Sequence, residues 1–178
     1  DVYGDAPDFI VSTANALFYL GRIYKEMGEF GKSLASFGEA ERRYSALLED
    51  SSTSDPEFVK NIAISKSALG QLAMTSGQYS VARHYFTESS RFWSEVRGLL
   101  PEESHTAGLH IHGNSLDIVE CEFAMGRQEA ALDAALSIGV QLTRMQEETP
   151  QDHRVIAAIA LFHGSLGQGL AIQRLVGP

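Results

Sequence analysis

The chain has 178 residues, 44% of them hydrophobic and 21% charged, and its 14 Lys and Arg face 23 Asp and Glu for a net charge of −9. That is enough apolar chain for one domain with a sizeable core, and it is too acidic for a surface that grips phosphate backbones, so nucleic acid is not an expected partner. No stretch approaches the ~20 apolar residues of a bilayer span; Asp1 to Asp8 carries three acids and no basic leader, and the lone Cys121 fits a reducing, cytoplasmic setting.

Taken in chain order, apolar residues at 3–4 spacing predict seven helices. The first runs from Pro7 to Met27 with Ala14, Leu17, Gly21 and Tyr24 on one stripe; the second runs from Phe30 to Glu49 with Leu34, Phe37, Ala40 and Tyr44. Pro56 to Ser76 and Tyr79 to Leu99 follow, then about Ser104 to Met125, Gln128 to Glu147, and Asp152 to Arg174. Polar breaks fall at Ser51–Asp55, Pro101–Ser104 and Thr149–Asp152. They are too short to link separate domains, so residues 1–178 read as a single domain. Pro7 and Pro56 suit a first helical turn. Gly28, Gly77 and Gly126 stand where a helix stops, as left-handed caps do.

An internal repeat organises these helices. Leu20-Gly21-Arg22-Ile23-Tyr24 through Gly28-Glu29-Phe30 aligns with Leu69-Gly70-Gln71-Leu72-Ala73 through Gly77-Gln78-Tyr79 at a spacing of 49. The same spacing pairs Phe37 with Phe86, Pro7-Asp8-Phe9 with Pro56-Glu57-Phe58, and Gly77 with Gly126. A weaker fourth copy opens at Leu166-Gly167, with Val119 at the site that matches Gly70. The repeats run over about 7–55, 56–104, 105–152 and, in part, 153–178.

In the first copy Leu17, Leu20, Gly21, Tyr24, Gly28, Phe30, Ser33, Phe37 and Ala40 resemble the tetratricopeptide repeat; in the second, Leu69, Gly70, Ala73, Gly77, Tyr79, Ala82 and Phe86 do; in the third, Gly126, Ala131 and Ala135. Two departures stand out: the family's usual Trp site holds Leu17 and Lys66, and the period is 49 rather than 34. The excess is close to four turns at ~3.6 residues each, so two further turns per helix keep every apolar stripe in phase. The resemblance implies an all-α, right-handed α-solenoid of antiparallel pairs of about 20-residue helices. In such pairs Gly21 and Gly70 would admit the rings of Phe37 and Phe86. The seventh helix, apolar over Val155–Phe162, lacks a covering partner helix, which points to an excerpt of a longer protein or to self-association through that helix.

Function follows from the same resemblance, which implies a non-enzymatic scaffold binding a peptide or helix of a partner in a concave groove. By register the inward sites are Asn15, Phe18, Arg22 and Lys25 on the first helix, and Ile64, Ser67, Gln71 and Met74 on the third. Leu116, Glu120 and Phe123 on the fifth and Gln168 on the seventh complete the set. The positions that would clamp a chaperone tail hold Phe18, Arg22, Ala68, Gly113 and Asp117, of which one is basic, so that ligand is not expected. The rival reading is a regulatory or assembly segment of a larger signalling enzyme, a kinase, ATPase or protease whose catalytic domain lies outside this chain.

The chain's own chemistry offers little to catalysis. His110 and His112 are two apart on a helix and point in different directions. His105, His112 and Glu120 share a face but read as surface residues rather than a metal site, and no metal or other cofactor is expected. Cys121 lies between Glu120 and Glu122, which raise a thiol pKa and leave it inert. Gly164-Ser165-Leu166-Gly167-Gln168-Gly169 has phosphate-loop letters without a preceding strand. Glu102-Glu103 and Glu147-Glu148 read as solvated acids.

Overall fold

The computed structural model describes residues 7–49 and 55–176, with side chains from residue 9 onward apart from 161, 165–166 and 168–176. Among the described residues every regular element is helical: α1 (Pro7–Glu26), α2 (Phe30–Glu49), α3 (Pro56–Thr75), α4 (Tyr79–Leu99), α5 (Ser104–Ala124), α6 (Gln128–Glu148) and α7 (His153–Val176). Each packs chiefly on its neighbours in the chain, except α7, which packs about equally on α6 and on α5. Helix ends lie within two residues of the positions read from spacing. One element is additional, a 3₁₀ turn at Pro101–Glu103 ahead of α5.

Glycine makes the joints. Gly28, Gly77 and Gly126 have φ of 73°, 71° and 75°, the left-handed region where a Cβ is strained. At each, the glycine N–H donates three residues back (to Lys25, Met74 or Phe123) and the next N–H donates five back, to Tyr24, Ala73 or Glu122, at 2.9–3.0 Å. These paired bonds satisfy the helix's last carbonyls and turn the chain sharply. At the start of α3, Asp55 accepts the Glu57 N–H at 2.9 Å while Pro56 takes the first turn.

The same notch recurs inside the helices, with a reversal. A Cβ added at Gly21 would lie 2.9 Å from the Phe37 ring, and one at Gly70 would lie 2.8 Å from the Phe86 ring. At the equivalent third-repeat pair the sizes are exchanged: Val119 stands where the glycines do and Ala135 where the rings do, both buried. The volume is roughly kept while its source moves to the other helix. That exchange explains why the third copy reads faintly as sequence.

Contacts between repeats keep nearly the same register: Glu41, Ser90 and Gly139 stand 49 apart, and their partners Lys66, Asn114 and Phe162 stand 48 apart. Lys66 pairs with Glu41 at 3.0 Å, and Asn114 bonds Ser90 at 3.3 Å. A Cβ on Gly139 would lie 3.0 Å from Phe162 at the corresponding junction of α6 and α7. The Tyr44 hydroxyl donates to Asn15 at 2.7 Å and accepts from Asn61 at 3.3 Å; 49 residues on, Trp93 stacks on His110 at 4.1 Å. Tyr44 is fully buried, and burial, with Tyr19 nearby, pushes its hydroxyl up to about 12. Lys66 also lies over the Phe92 ring.

A polar network ties the middle helices together. Asn114 is 3% exposed; it accepts from Ser67 Oγ at 3.0 Å and donates to Ser89 Oγ at 2.9 Å and to Ser90 Oγ. Ser89 in turn donates to the Ala63 carbonyl at 2.8 Å. Buried amides demand such partners, and here the demand fixes α3, α4 and α5 against one another.

Candidate functional site

A cleft of about 250 Å³ opens between α1 and α3. Arg22, Lys25 and Glu26 enter it from α1, and Ile64, Ser67, Ala68 and Gln71 from α3. Phe37, Trp93 and His110 complete the lining. Lys25 Nζ donates to Gln71 Oε1 across the two helices. Arg22 is exposed and makes no ion pair among the described residues. The Trp93 side chain is 1% exposed, and its indole N–H has no acceptor among the described residues.

Five of the twelve positions expected to face inward come together here: Arg22, Lys25, Ile64, Ser67 and Gln71. The others go elsewhere. Asn15 is spent on the Tyr44 hydroxyl. Phe18 is buried edge-on to Phe37 with centroids 5.8 Å apart, and Leu116 and Phe123 are buried in the α5–α6 core; these three serve packing rather than a partner. Met74 packs beside Phe86 and Cys121, and Glu120 is half-buried on α5. Gln168 lies on α7, with its side chain outside the described residues. Spacing alone placed Phe18, Leu116 and Phe123 on the inner face because that face is continuous with the core stripe. Their apolar character was the available signal.

Two residues near the cleft escaped the sequence reading. Trp93 and His110 reach it from helices α4 and α5; the His110–His112 spacing points only to a metal pair that helix geometry rejects, and nothing in the local pattern of Trp93 singles it out. Desolvation against its neighbours lowers the His110 pKa below the usual imidazole range.

Asp117 stands one turn before Glu120 on α5. Burial raises its carboxyl to about 7, the Glu120 charge adds to that, and Lys25 of α1 partly opposes it. The folded state therefore holds this proton more tightly than the unfolded chain does. Its contribution favours folding at low pH and is lost as pH climbs from the ordinary carboxylate range through about 7. Asp117→Asn is expected to raise the melting temperature, and by more at pH 8 than at pH 5. An increment that does not change with pH contradicts this assignment.

Cys121 is fully buried; burial first, then the charges of Asp117, Glu120 and Glu122, push its thiol up to about 11, which makes it a poor nucleophile. His112, expected at the surface, is buried instead, its pKa lowered by desolvation and by Arg97. His105 lies 2.8 Å from an Asp152 oxygen. No group of three His, Cys, Asp or Glu side chains among the described residues is placed to hold a metal ion. Glu103, read as a solvated acid, is ion-paired with Lys60 at 2.8 Å, and Glu148 with Arg144 at 3.0 Å. No helix among the described residues is long and apolar enough to cross a membrane.

Three larger hollows lie toward the C-terminal end, one of them, about 450 Å³, an open one at the α5–α6 turn over residues 126–130. Another of about 350 Å³ lies between α5 and α6 beside Arg97, His105 and His112. The third, about 790 Å³, lies between α6 and α7, beside Val140 and Phe162. The cleft on α1 and α3, by contrast, draws on positions that repeat in the sequence, Arg22 and Gln71 standing 49 apart. Compared with known proteins, the chain matches no family model and no curated sequence. Fold and site together define, among the described residues, an all-helical chain of seven helices with a polar, cation-bearing cleft between α1 and α3.

Proposed function

We propose that this chain is a protein–protein interaction module, a tetratricopeptide-like, right-handed solenoid of antiparallel helix pairs that holds a polypeptide segment of a partner in the groove of α1, α3 and α5. The antiparallel reading is supported by contacts that run in opposite directions along α1 and α2: Gly21 meets Phe37, while the earlier Asn15 meets the later Tyr44. The observation that carries the binding reading is the convergence of Arg22, Lys25, Ile64 and Gln71, from repeat-equivalent helices, on one cleft. Cation, amide and apolar groups together suit a backbone with its side chains. An acidic surface supports a protein rather than a nucleic-acid partner, and the single reduced cysteine supports a cytoplasmic setting. Nothing in the site supplies a nucleophile with a base, which favours a non-enzymatic role.

The test is to select displayed random 16-residue peptides on the chain and remeasure them on cleft-filled protein. Gln71→Trp, at an exposed position, is expected to weaken the selected peptides more than tenfold, while Thr87→Trp, on an exposed position of α4, leaves them unchanged. Peptides indifferent to Gln71→Trp overturn the proposal.

A further inference from the structure

The outer face of α6 departs from those of α2 and α4. The three helices begin at Phe30, Tyr79 and Gln128, 49 residues apart each time. Their inner faces keep that register: Phe37, Phe86 and Ala135 are buried, and so are Tyr44, Trp93 and Leu142. At two positions away from that inner face α2 carries Gly38 and Arg42, and α4 carries Thr87 and Arg91. Arg42 is ion-paired with Glu39 and Arg91 with Glu95, as on many solvated helix faces. α6 carries Leu136 and Val140 there, 70% and 73% exposed, with Leu132 one turn earlier and 37% exposed. The fold does not require these apolar side chains, since α2 and α4 form without them.

The stripe borders the open hollow of about 790 Å³ between α6 and α7, where Ile159 and Phe162 form the α7 wall. Acids mark both of its ends. Glu129 and Asp133 lie at one end and Glu147 at the other, at 3–4 spacing with Leu132, Leu136 and Val140 and hence on the same side of the helix. Glu129 suits the first turn of α6, but Glu147 stands in the last turn, where the helix dipole disfavours an acid. None of the three has an ion pair among the described residues. Arg144 and His163 also border the hollow, and Arg144 is already paired with Glu148.

We infer that the outer face of α6 is a second docking surface, and that its occupant is a basic amphipathic helix of a partner protein. The partner's apolar stripe covers Leu132, Leu136 and Val140, and its Lys or Arg side chains pair with Asp133 and Glu147. Charge decides the occupant. A second copy of this chain, with its net charge of −9, would bring the same acids against one another. A further helix stacked in the observed manner would rest on α7 and not on this stripe, because α4 packs on α3 and α5 rather than on α2. Glu129 to Glu147 is a separation of 18 residues, about 27 Å along the helix, so a partner helix of that length spans the stripe and both acidic ends. The surface shares no residue with the cleft of α1 and α3, so the two proposals stand or fall separately.

The experiment selects displayed random 18-residue peptides on the Gln71→Trp chain, whose cleft is filled, with counter-selection on the same chain carrying Leu136→Thr/Val140→Arg. Those two changes install the residues that α4 already holds at exposed positions, and circular dichroism confirms that both proteins are folded. Enriched peptides are expected to carry apolar residues at 3–4 spacing with Lys or Arg beside them. By fluorescence anisotropy such a peptide is expected to bind the native chain and to lose about tenfold or more in affinity on Leu136→Thr/Val140→Arg. A comparable loss is expected on Asp133→Lys/Glu147→Lys, which leaves the apolar stripe in place and stands as a test on its own. No enrichment over the counter-selection, or peptides that bind the native chain and Leu136→Thr/Val140→Arg alike, overturns the proposal. Enrichment of acidic peptides, or no loss on Asp133→Lys/Glu147→Lys, overturns the basic partner. Light scattering that finds a dimer of the native chain, turned into a monomer by Leu136→Thr/Val140→Arg, overturns it in favour of a second copy.

Discussion

Phe86→Ala is expected to destabilise the chain by about 3–5 kcal/mol, which for this size lowers the melting temperature by about 10 °C. The ring is fully buried against Gly70, and beside it sit Ala73, Ala82 and Cys121, all too small to collapse into the space. Gly70→Val should cost about 1–3 kcal/mol for the opposite reason, because its Cβ would meet the ring inside 3 Å. The third repeat states the remedy. Val119 against Ala135 is the same joint with the bulk moved across, so the double variant Gly70→Val/Phe86→Ala should melt well above Phe86→Ala. A thermal-denaturation cycle measures the coupling. If the two losses simply add, the joints are not equivalent and the repeat register is wrong.

Asn114→Leu carries the second large effect. The side chain fits the volume but removes the three hydrogen bonds to Ser67, Ser89 and Ser90, at about 1 kcal/mol each. A loss of about 3 kcal/mol by urea denaturation is expected. The apolar replacement should thus be worse than the polar residue it displaces, although it lies among core side chains. A loss below about 0.5 kcal/mol shows that the network does not join α3, α4 and α5.

Helix boundaries were legible because glycine and proline act locally. Gly28, Gly77 and Gly126 force the left-handed turn wherever they fall, and Pro56 behind Asp55 fixes a first turn without reference to the rest of the chain. Apolar spacing located the Gly21–Phe37 and Gly70–Phe86 contacts for the same reason. What spacing does not carry is how far around a helix its neighbours wrap. Phe18, Leu116 and Phe123 share a face with Arg22 and Gln71, yet adjacent helices close over the first three and leave the others open. Asn114 and His112 were opaque because their burial depends on serine and arginine residues one helix away. The cleft was half readable: its cations from register, its Trp93 wall only from packing.

Packing between chain neighbours also decides how the molecule comes apart. With few ties between distant segments, cooperativity decays along the chain, and damage to one unit stays near that unit. α7 is the least closely held helix, resting on α6 and α5 with Ile156 half uncovered, so unfolding is expected to begin there and to leave α1 to α4 standing.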